Sequence, residues 1–311
     1  MNQTTPQPAS FKTAEALENW IGRRQTVTDT INAVQARQMA ATMDDRARMN
    51  DPALSPLPAG WHWLYFNPME VHSRLGEDGH PARGDFLPPV ELPRRMWAGS
   101  RLEWQRAFTV GAQVDKNTEI VKLSRKSGRT GDMVFVTLAH VYSDADGVLL
   151  REEHDIVYRG LPSEAEKAAL AEVPQRATAW LAAPPAFERE GTQLKPVHAD
   201  PVMLYRYSAA TFNGHRIHYD IDYCRNVEGY PGLVVHGPLL ATLLLSFIEN
   251  EVAPGRRIRT FEFRAMRPTF CLGGGSGFHL HASAPDTDGA LQVWSTNNAG
   301  QVGVDGRITL A

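Results

Sequence analysis

The sequence predicts an α+β chain of two similarly built halves, each a curved antiparallel sheet wrapped around a helical segment. Three observations carry this. Runs of β-branched and aromatic residues punctuated by Gly and Asp turns follow helical segments, first over residues 96–159 and again over 258–309. The two runs repeat an architecture without repeating sequence letters. Between them, residues 238–250 (PLLATLLLSFIEN) are apolar on almost every face until Glu249, the pattern of a buried helix rather than an amphipathic surface one.

Taken in order, the first ten residues are polar and expected to be disordered. Leu17, Trp20, Ile21, Ile31, Val34 and Ala41 suggest helix from Phe11 to about Arg48, ended by Pro52, Pro56 and Pro58. Residues 60–92 are irregular, with a short strand expected around Trp61–Phe66. Strands are expected at Arg101–Phe108, Lys116–Ser127, Met133–Ser143 and Leu149–Tyr158, the last two joined by a turn at Asp146-Gly147. Ser163–Ala171 reads as a short helix, and Ala182-Ala183-Pro184-Pro185 has linker composition. Met203–Ala210 reads as a strand. After the buried helix, started by Gly237 and Pro238, strands are expected at Ile258–Phe270, Gly277–Ser283, Leu291–Thr296 and Gln301–Thr309. The domain reading is therefore an N-terminal module over 11–160, a linker over 161–197 and a C-terminal module over 198–311.

Composition narrows the function. With 311 residues and 42% hydrophobic residues the chain can build a sizeable core. A net charge of -3 and short, scattered basic clusters argue against nucleic acid or an anionic membrane as partner. The N-terminus has no apolar signal region and no window of 18 apolar residues exists, so a cytoplasmic protein is expected. Cys224 and Cys271 form no ligand spacing and are expected to be reduced. Gly273-Gly274-Gly275 lacks the context of a phosphate-binding loop, and no G-x-S-x-G nucleophile elbow is present.

Chemistry concentrates between Asn213 and Leu239. The segment FNGHRIHYD (212–220) packs polar and ionisable groups into a short loop, and VVHGPL (234–239) opens the buried helix. A helix start leaves backbone N–H groups unpaired with a partial positive charge. Gly237 can therefore present an unobstructed donor to a developing enolate oxygen, and His218 can move a proton. Asp220 and Asp222 are candidates to orient His218. His215, His218 and Asp220 complete no known zinc spacing, so no metal is expected. Arg95, Arg101, Arg159, Arg264 and Arg267 are candidates for phosphate or carboxylate contacts, with strand-end salt bridges as the commoner role.

These motifs resemble the MaoC-like, hydratase-2 group of hot-dog enzymes, whose motif runs roughly D-x-N-P-x-H and then H-G-x-L. Asn213 falls on its Asp, His215 on its Asn and His218 on its His; His236, Gly237 and Leu239 fall on H-G-x-L. The closer likeness is to the double-hot-dog branch, named for itaconyl-CoA and 3-methylfumaryl-CoA (mesaconyl-CoA) hydratases and hydroxyacyl-thioester dehydratase type 2. That branch is marked by F-N-x-H-R-I-H-Y-D and E-G-Y-P-G-L-V-V-H-G-P-L, and also by R-R-M-W-A-G-S (94–100), K-S-G-R-x-G (126–131), D-I-V-Y-R (155–159) and F-R-A-x-R-P (263–268). The resemblance spans residues 12–310. It implies a double hot-dog fold and a hydro-lyase that reversibly adds water to a 2,3-enoyl-CoA, with a short C5 dicarboxylic acyl group. The alternatives are a dehydratase of fatty 3-hydroxyacyl thioesters and a non-catalytic acyl-CoA binding module. CoA would enter with the substrate, no separate cofactor would be needed, and a homodimer is expected. His218, Asn213 and Gly237 would be catalytic, with Asn213 placing water because a neutral amide cannot act as a base. Tyr230, His236, Leu239 and Arg264 would bind substrate. The N-terminal module would shape the pocket.

Overall fold

The computed structural model describes residues 17–51, 53–128, 131–173, 186–273 and 277–311. The expected N-terminal disorder and the Ala182–Pro185 linker lie outside these. Twelve strands are present among the described residues: β1 (Arg24–Thr30), β2 (Arg94–Trp104), β3 (Gln113–Gly128), β4 (Gly131–Asp144), β5 (Gly147–Arg159), β6 (Gln193–His198), β7 (Leu233–Val234), β8 (Ile258–Ala265), β9 (Phe270–Cys271), β10 (Gly277–Ala282), β11 (Leu291–Thr296) and β12 (Val302–Leu310). Ten of them form one sheet in the order β1-β3-β4-β5-β2-β8-β12-β11-β10-β6, antiparallel throughout.

Counting only the strands of this sheet, with the separate β7–β9 pair left out, each half numbered from its own first strand runs in the order one-three-four-five-two. The repeat of architecture is therefore real, and the halves join edge to edge through β2 and β8. At that seam Gly99 is required by proximity, since a Cβ there would lie 2.2 Å from the Phe263 carbonyl oxygen. The turn before Gly147 closes the β4–β5 hairpin as expected.

Between the first and second strands of each half the chain turns helical. In the N-terminal half these are α1 (Ala33–Thr42) and α2 (Arg46–Asn50), and in the connection between halves α3 (Glu164–Ala171). The C-terminal half has α4 (Pro201–Ala210), α5 (Ile221–Asn226) and α6 (Gly237–Phe247), the last running on into a π-helical turn, Ile248–Val252. Asn32 caps α1 through the Gln35 N–H (3.0 Å) and Asp200 caps α4 through the Met203 N–H (2.7 Å), at corresponding places in the two halves.

Four expectations change. Arg24–Thr30 is an edge strand on β3 rather than helix. Trp61–Leu64 is a single 3-10 turn rather than a strand. Met203–Ala210 is helix, because the Asp200 cap and Pro201 in the first turn outweigh its strand-prone tyrosines. Gln193–His198, inside the stretch read as linker, pairs with β10.

Helix α6 is the centre of the core. Leu239, Leu240, Leu243, Leu244, Leu245 and Phe247 are all buried, which explains its lack of a polar face. In the N-terminal half the corresponding helix shrinks to the Trp61–Leu64 turn. That turn lies against α6 itself, since a Cβ on Gly60 would come 2.7 Å from Leu245 Cδ1. One apolar helix thus fills the space between both halves.

Candidate active site

The loop after α4 is shaped locally. The Asn213 side-chain oxygen accepts from the His215 N–H (3.0 Å), an Asx turn, and a 3-10 turn carries Arg216–His218. Cys224 anchors the loop by donating from Sγ to the Ile217 carbonyl (3.0 Å); burial pushes this thiol up to about 12, so it stays protonated. Asp220 caps α5 and binds Arg216 (2.8 and 3.0 Å). It does not orient His218.

His218 is oriented instead by a backbone carbonyl. Its Nδ1 lies 2.7 Å from the Val234 oxygen, and a carbonyl only accepts, so Nδ1 carries the proton and Nε2 is left as an acceptor. Val234 is held in the β7–β9 ribbon, whose Phe270 is clamped at both backbone groups by Asn298 (2.8 and 2.9 Å). Behind His218 lies His236, stacked at 3.6 Å between centroids and bonded through Nε2 to Ser208 Oγ (2.8 Å). Burial pushes His218 down to about 3 and holds His215 and His236 well below the ordinary histidine value. Three neutral imidazoles therefore pack together, with Nδ1 of His236 unpartnered among the described residues.

Immediately beyond His236, α6 begins with no side chain capping it. A Cβ at Gly237 would meet no atom within 4 Å, so open space faces the helix start. The Gly237 N–H lies at the positive end of this uncapped, 11-residue helix.

A segment of the N-terminal half completes the site. Arg216 donates from its backbone N–H to the Asp78 carbonyl (2.9 Å) and from Nη1 to the Glu77 carbonyl (3.2 Å). Gly79, at φ +85°, faces Gly214 so closely that a Cβ would sit 2.0 Å from the Gly214 oxygen. This contact brings the His80 ring to 4.1 Å from that of His215, which in turn lies 5.4 Å from His218. Asp78 Oδ2 and His80 Nδ1 are 3.0 Å apart. Ligand-type atoms of Asp78, His80 and His215 lie within 4.8 Å of one another, but the Asp78–His80 bond already engages two of them.

Asp78, Arg94, Arg95, His215, Glu228 and Tyr230 line a tight cleft of about 10 Å³, room for about one water molecule. Arg94 is 5% exposed and donates from Nε to the Gly160 carbonyl (2.6 Å), while its Nη2 has no hydrogen-bond partner among the described residues. Burial pushes the Glu228 carboxyl up against the pull of the Arg94 charge.

The structure thus gathers His215, His218, His236, Gly237 and Tyr230. Leu239 is fully buried in the core. Arg264 is exposed on the face of β8 opposite the buried Phe261 and Phe263, away from this cluster, because strand alternation sends it outward. Asn213 has one lone pair of its carbonyl oxygen engaged in the Asx turn, which leaves its NH₂ and the second lone pair for water. Sequence reasoning missed Asp78, His80, Arg94 and Glu228. The signals were present in E-D-G-H (77–80), R-R-M-W and E-G-Y-P-G, but nothing local assigns them to one cleft.

Comparison with known proteins gives the family and the fold. The profile of the hydroxyacyl-thioester dehydratase type 2 family matches residues 60–271. A mesaconyl-C(4)-CoA hydratase from Chloroflexus aurantiacus is 40% identical over 284 residues, covering 88% of this chain and 95% of that protein. The mitochondrial hydroxyacyl-thioester dehydratase type 2 of Schizosaccharomyces pombe is 26% identical over 246 residues, covering 71% and 76%. Among solved structures, a MaoC-like dehydratase from Phytophthora capsici superposes with a TM-score of 0.65 at 15% identity, covering 96% of this chain and 98% of that one. A Mycobacterium tuberculosis protein described as having a double hot-dog fold gives 0.51 at 15% identity, covering 93% and 96%. The fold is therefore a double hot-dog, and the chain belongs to the hydroxyacyl-thioester dehydratase type 2 family of MaoC-like enzymes.

Proposed function

We propose that this chain reversibly adds water across the double bond of a 2,3-enoyl-CoA thioester whose acyl group is short and bears a second carboxylate. The Gly237 N–H binds the thioester oxygen as negative charge develops. His218 Nε2 accepts a hydrogen bond from the attacking water. CoA belongs to the substrate, and no further cofactor enters the scheme. A homodimer in the cytoplasm is part of the same reading. No helix among the described residues is long and apolar enough to cross a membrane.

One observation carries the substrate class: Arg94, buried and with an unpartnered Nη2, in the cleft beside His215 and Tyr230. A fatty chain would require an apolar channel at this position, whereas a carboxylate requires a buried guanidinium there. The 40% identical hydratase named for mesaconyl-C(4)-CoA supports the same choice.

The test is loss of the conjugated enoyl-thioester absorbance with mesaconyl-, itaconyl- and crotonyl-CoA. A charge-assisted hydrogen bond is worth about 1.5–3 kcal/mol. The dicarboxylic substrates should therefore exceed crotonyl-CoA by about tenfold to a hundredfold in kcat/KM, and Arg94→Met should abolish that preference. Equal rates for all three, unaffected by the substitution, overturn the dicarboxylic reading. Thioester binding without turnover of any of them overturns the enzyme reading.

A further inference from the structure

The site as proposed has no anion close to its water. Asn213 is neutral and turned into its own loop, and Asp220 is committed to Arg216. His218 is buried among other imidazoles, where a positive charge is costly, so it suits holding water better than storing a proton. Addition of water needs a group that takes a proton from oxygen and returns it to carbon.

We infer that His80 is the proton-exchanging group of this site and Asp78 its positioning residue, both delivered by the N-terminal half. The inference rests on the hydratase reading above. Its first support is the His80–Asp78 pair itself. The Asp78 carboxylate accepts from His80 Nδ1 (3.0 Å) and from the His80 backbone N–H (3.0 Å), which fixes the ring and leaves Nε2 as the free acceptor. Its second support is placement. The Gly79–Gly214 approach and the two Arg216 bonds to the Glu77 and Asp78 carbonyls lock this segment to the loop that carries His218. Arg83 completes the support by donating to the carbonyls of Val90 (2.6 Å), Leu92 (2.6 Å) and Pro93 (2.5 Å), which sets the approach into Arg94 and Arg95.

The electrostatics agree. Burial works to neutralise Asp78, but its bonds to His80 and the nearby His215 outweigh that and keep it ionised. An ionised Asp78 can stabilise the imidazolium that forms on His80 during the reaction. Burial lowers His80 below the ordinary value, so its Nε2 is a free base at neutral pH. The charged or titratable groups facing His80 are Asp78 and Arg83 on its own segment, Arg95 on β2, and His215 and His218 on the loop; Glu228 acts on Asp78 from the far side of the cleft.

The chemistry balances without a co-reactant. As the water oxygen bonds to C3, His80 Nε2 takes a water proton and the C2–C3 π pair moves into an enolate whose oxygen lies at the Gly237 N–H. The proton then passes from Nε2 to C2, the enolate pair forms the new C–H bond, and the enzyme returns to its starting state.

The experiment compares wild type, His80→Gln, Asp78→Asn and Glu228→Gln for enoyl-CoA hydration across pH 5–9, with butyryl-CoA binding by calorimetry as the check on folding and site integrity. Wild type should rise in kcat/KM with pH to a plateau, the midpoint lying below the ordinary histidine value. His80→Gln should lower kcat by about 10²–10⁴-fold and erase that limb, with butyryl-CoA affinity within about threefold of wild type. Asp78→Asn should lower kcat by about 10²-fold and shift the limb to lower pH, because the anion that supports the imidazolium is gone. A variant that keeps kcat and the limb while losing butyryl-CoA affinity would reduce the pair to a structural clasp and overturn the inference. So would loss of the limb in Glu228→Gln but not in His80→Gln, or activity abolished by chelator dialysis and restored by zinc. Absence of turnover in wild type would instead remove the hydratase reading beneath it.

Discussion

The two halves share a strand order and each buries a cluster of histidines, yet they use them in opposite ways. In the N-terminal half, His62 sits on the 3-10 turn after Gly60. Its Nε2 faces Glu152, a carboxylate that is 3% exposed and also accepts from Trp63 Nε1 (3.1 Å), the Tyr142 hydroxyl (3.0 Å) and Ser100 Oγ (3.3 Å). Burial works to neutralise Glu152, but these bonds and the neighbouring imidazoles hold it well below the usual carboxylate range. Four donors use up its lone pairs. In the C-terminal half, His236 sits at the corresponding turn before Gly237, where the helix continues. His62 and His236 alike leave Nδ1 without a partner among the described residues, but here Nε2 of His218 and the uncapped helix start stay open as well, with no carboxylate gathering the donors. A closed polar network gives stability and specificity of packing. An open one costs stability and leaves donors and acceptors free for a ligand. The same topology thus supports a strut around the first helical turn and a reaction centre around the second, the latter completed by the Asp78–His80 segment that the N-terminal half extends to it.

Removing His218 should break the open cluster most severely. His218→Ala is expected to lower kcat by about 10²–10⁴-fold, measured by the enoyl absorbance, with butyryl-CoA affinity by calorimetry nearly unchanged. Full turnover in that variant removes the C-terminal loop from the mechanism. The closed cluster should answer in stability instead. Glu152→Ala strands four buried donors, and losing one partner of a buried ionic network costs about 3–5 kcal/mol. The urea midpoint should fall accordingly, with kcat per folded molecule unchanged. A large kcat loss at unchanged midpoint would mean that the N-terminal network takes part in catalysis and that the contrast between the halves is false.

How much of this was legible in the sequence depended on whether the signal was local. The buried helix was, because an apolar stretch with no polar face has one sensible place. Three of the four long strands of the first half were, to within three residues at each end, because β-branched runs alternate with clear turns. The fourth, expected at Arg101–Phe108, instead runs over Arg94–Trp104, since the arginines and glycine of its first half carry no β-branched signal. Arg24–Thr30 was not: as an edge strand it pairs only with β3, is exposed over most of its length and lacks an apolar face to announce itself. Gln193–His198 carries Pro196, which a central strand would not tolerate but an edge strand does. His218 and Gly237 stood in recognisable motifs. Asp78 did not, since its meaning comes from contact with a loop more than a hundred residues later, through a Gly79–Gly214 approach that no periodicity encodes. Arg264 is the opposite case: it lies in a family-like motif, but alternation along β8 sends it to the outer face, apart from the buried cluster.

Acid titration sharpens the comparison with a smaller effect. A histidine of the unfolded chain has its ordinary value of 6.5, whereas burial pushes His218 down to about 3 and His154, in the N-terminal half, down to about 4. Between these values the unfolded chain holds a proton that the folded one refuses. The stability each residue contributes is therefore complete above pH 6.5 and is lost as the pH falls toward its folded value. Each should add about 1.4 kcal/mol per pH unit to the acid slope of the unfolding free energy between pH 6 and 5. His218→Gln and His154→Gln should each flatten that slope by about this amount, read from urea titrations at the two pH values. If neither does, both imidazoles protonate freely in the folded protein and the buried, neutral picture of the two clusters fails. If both do, only His218→Gln should also depress turnover at pH 7. Burial would then be common to the two halves, and reactivity would follow from the ring nitrogens and backbone donors that the C-terminal half leaves open.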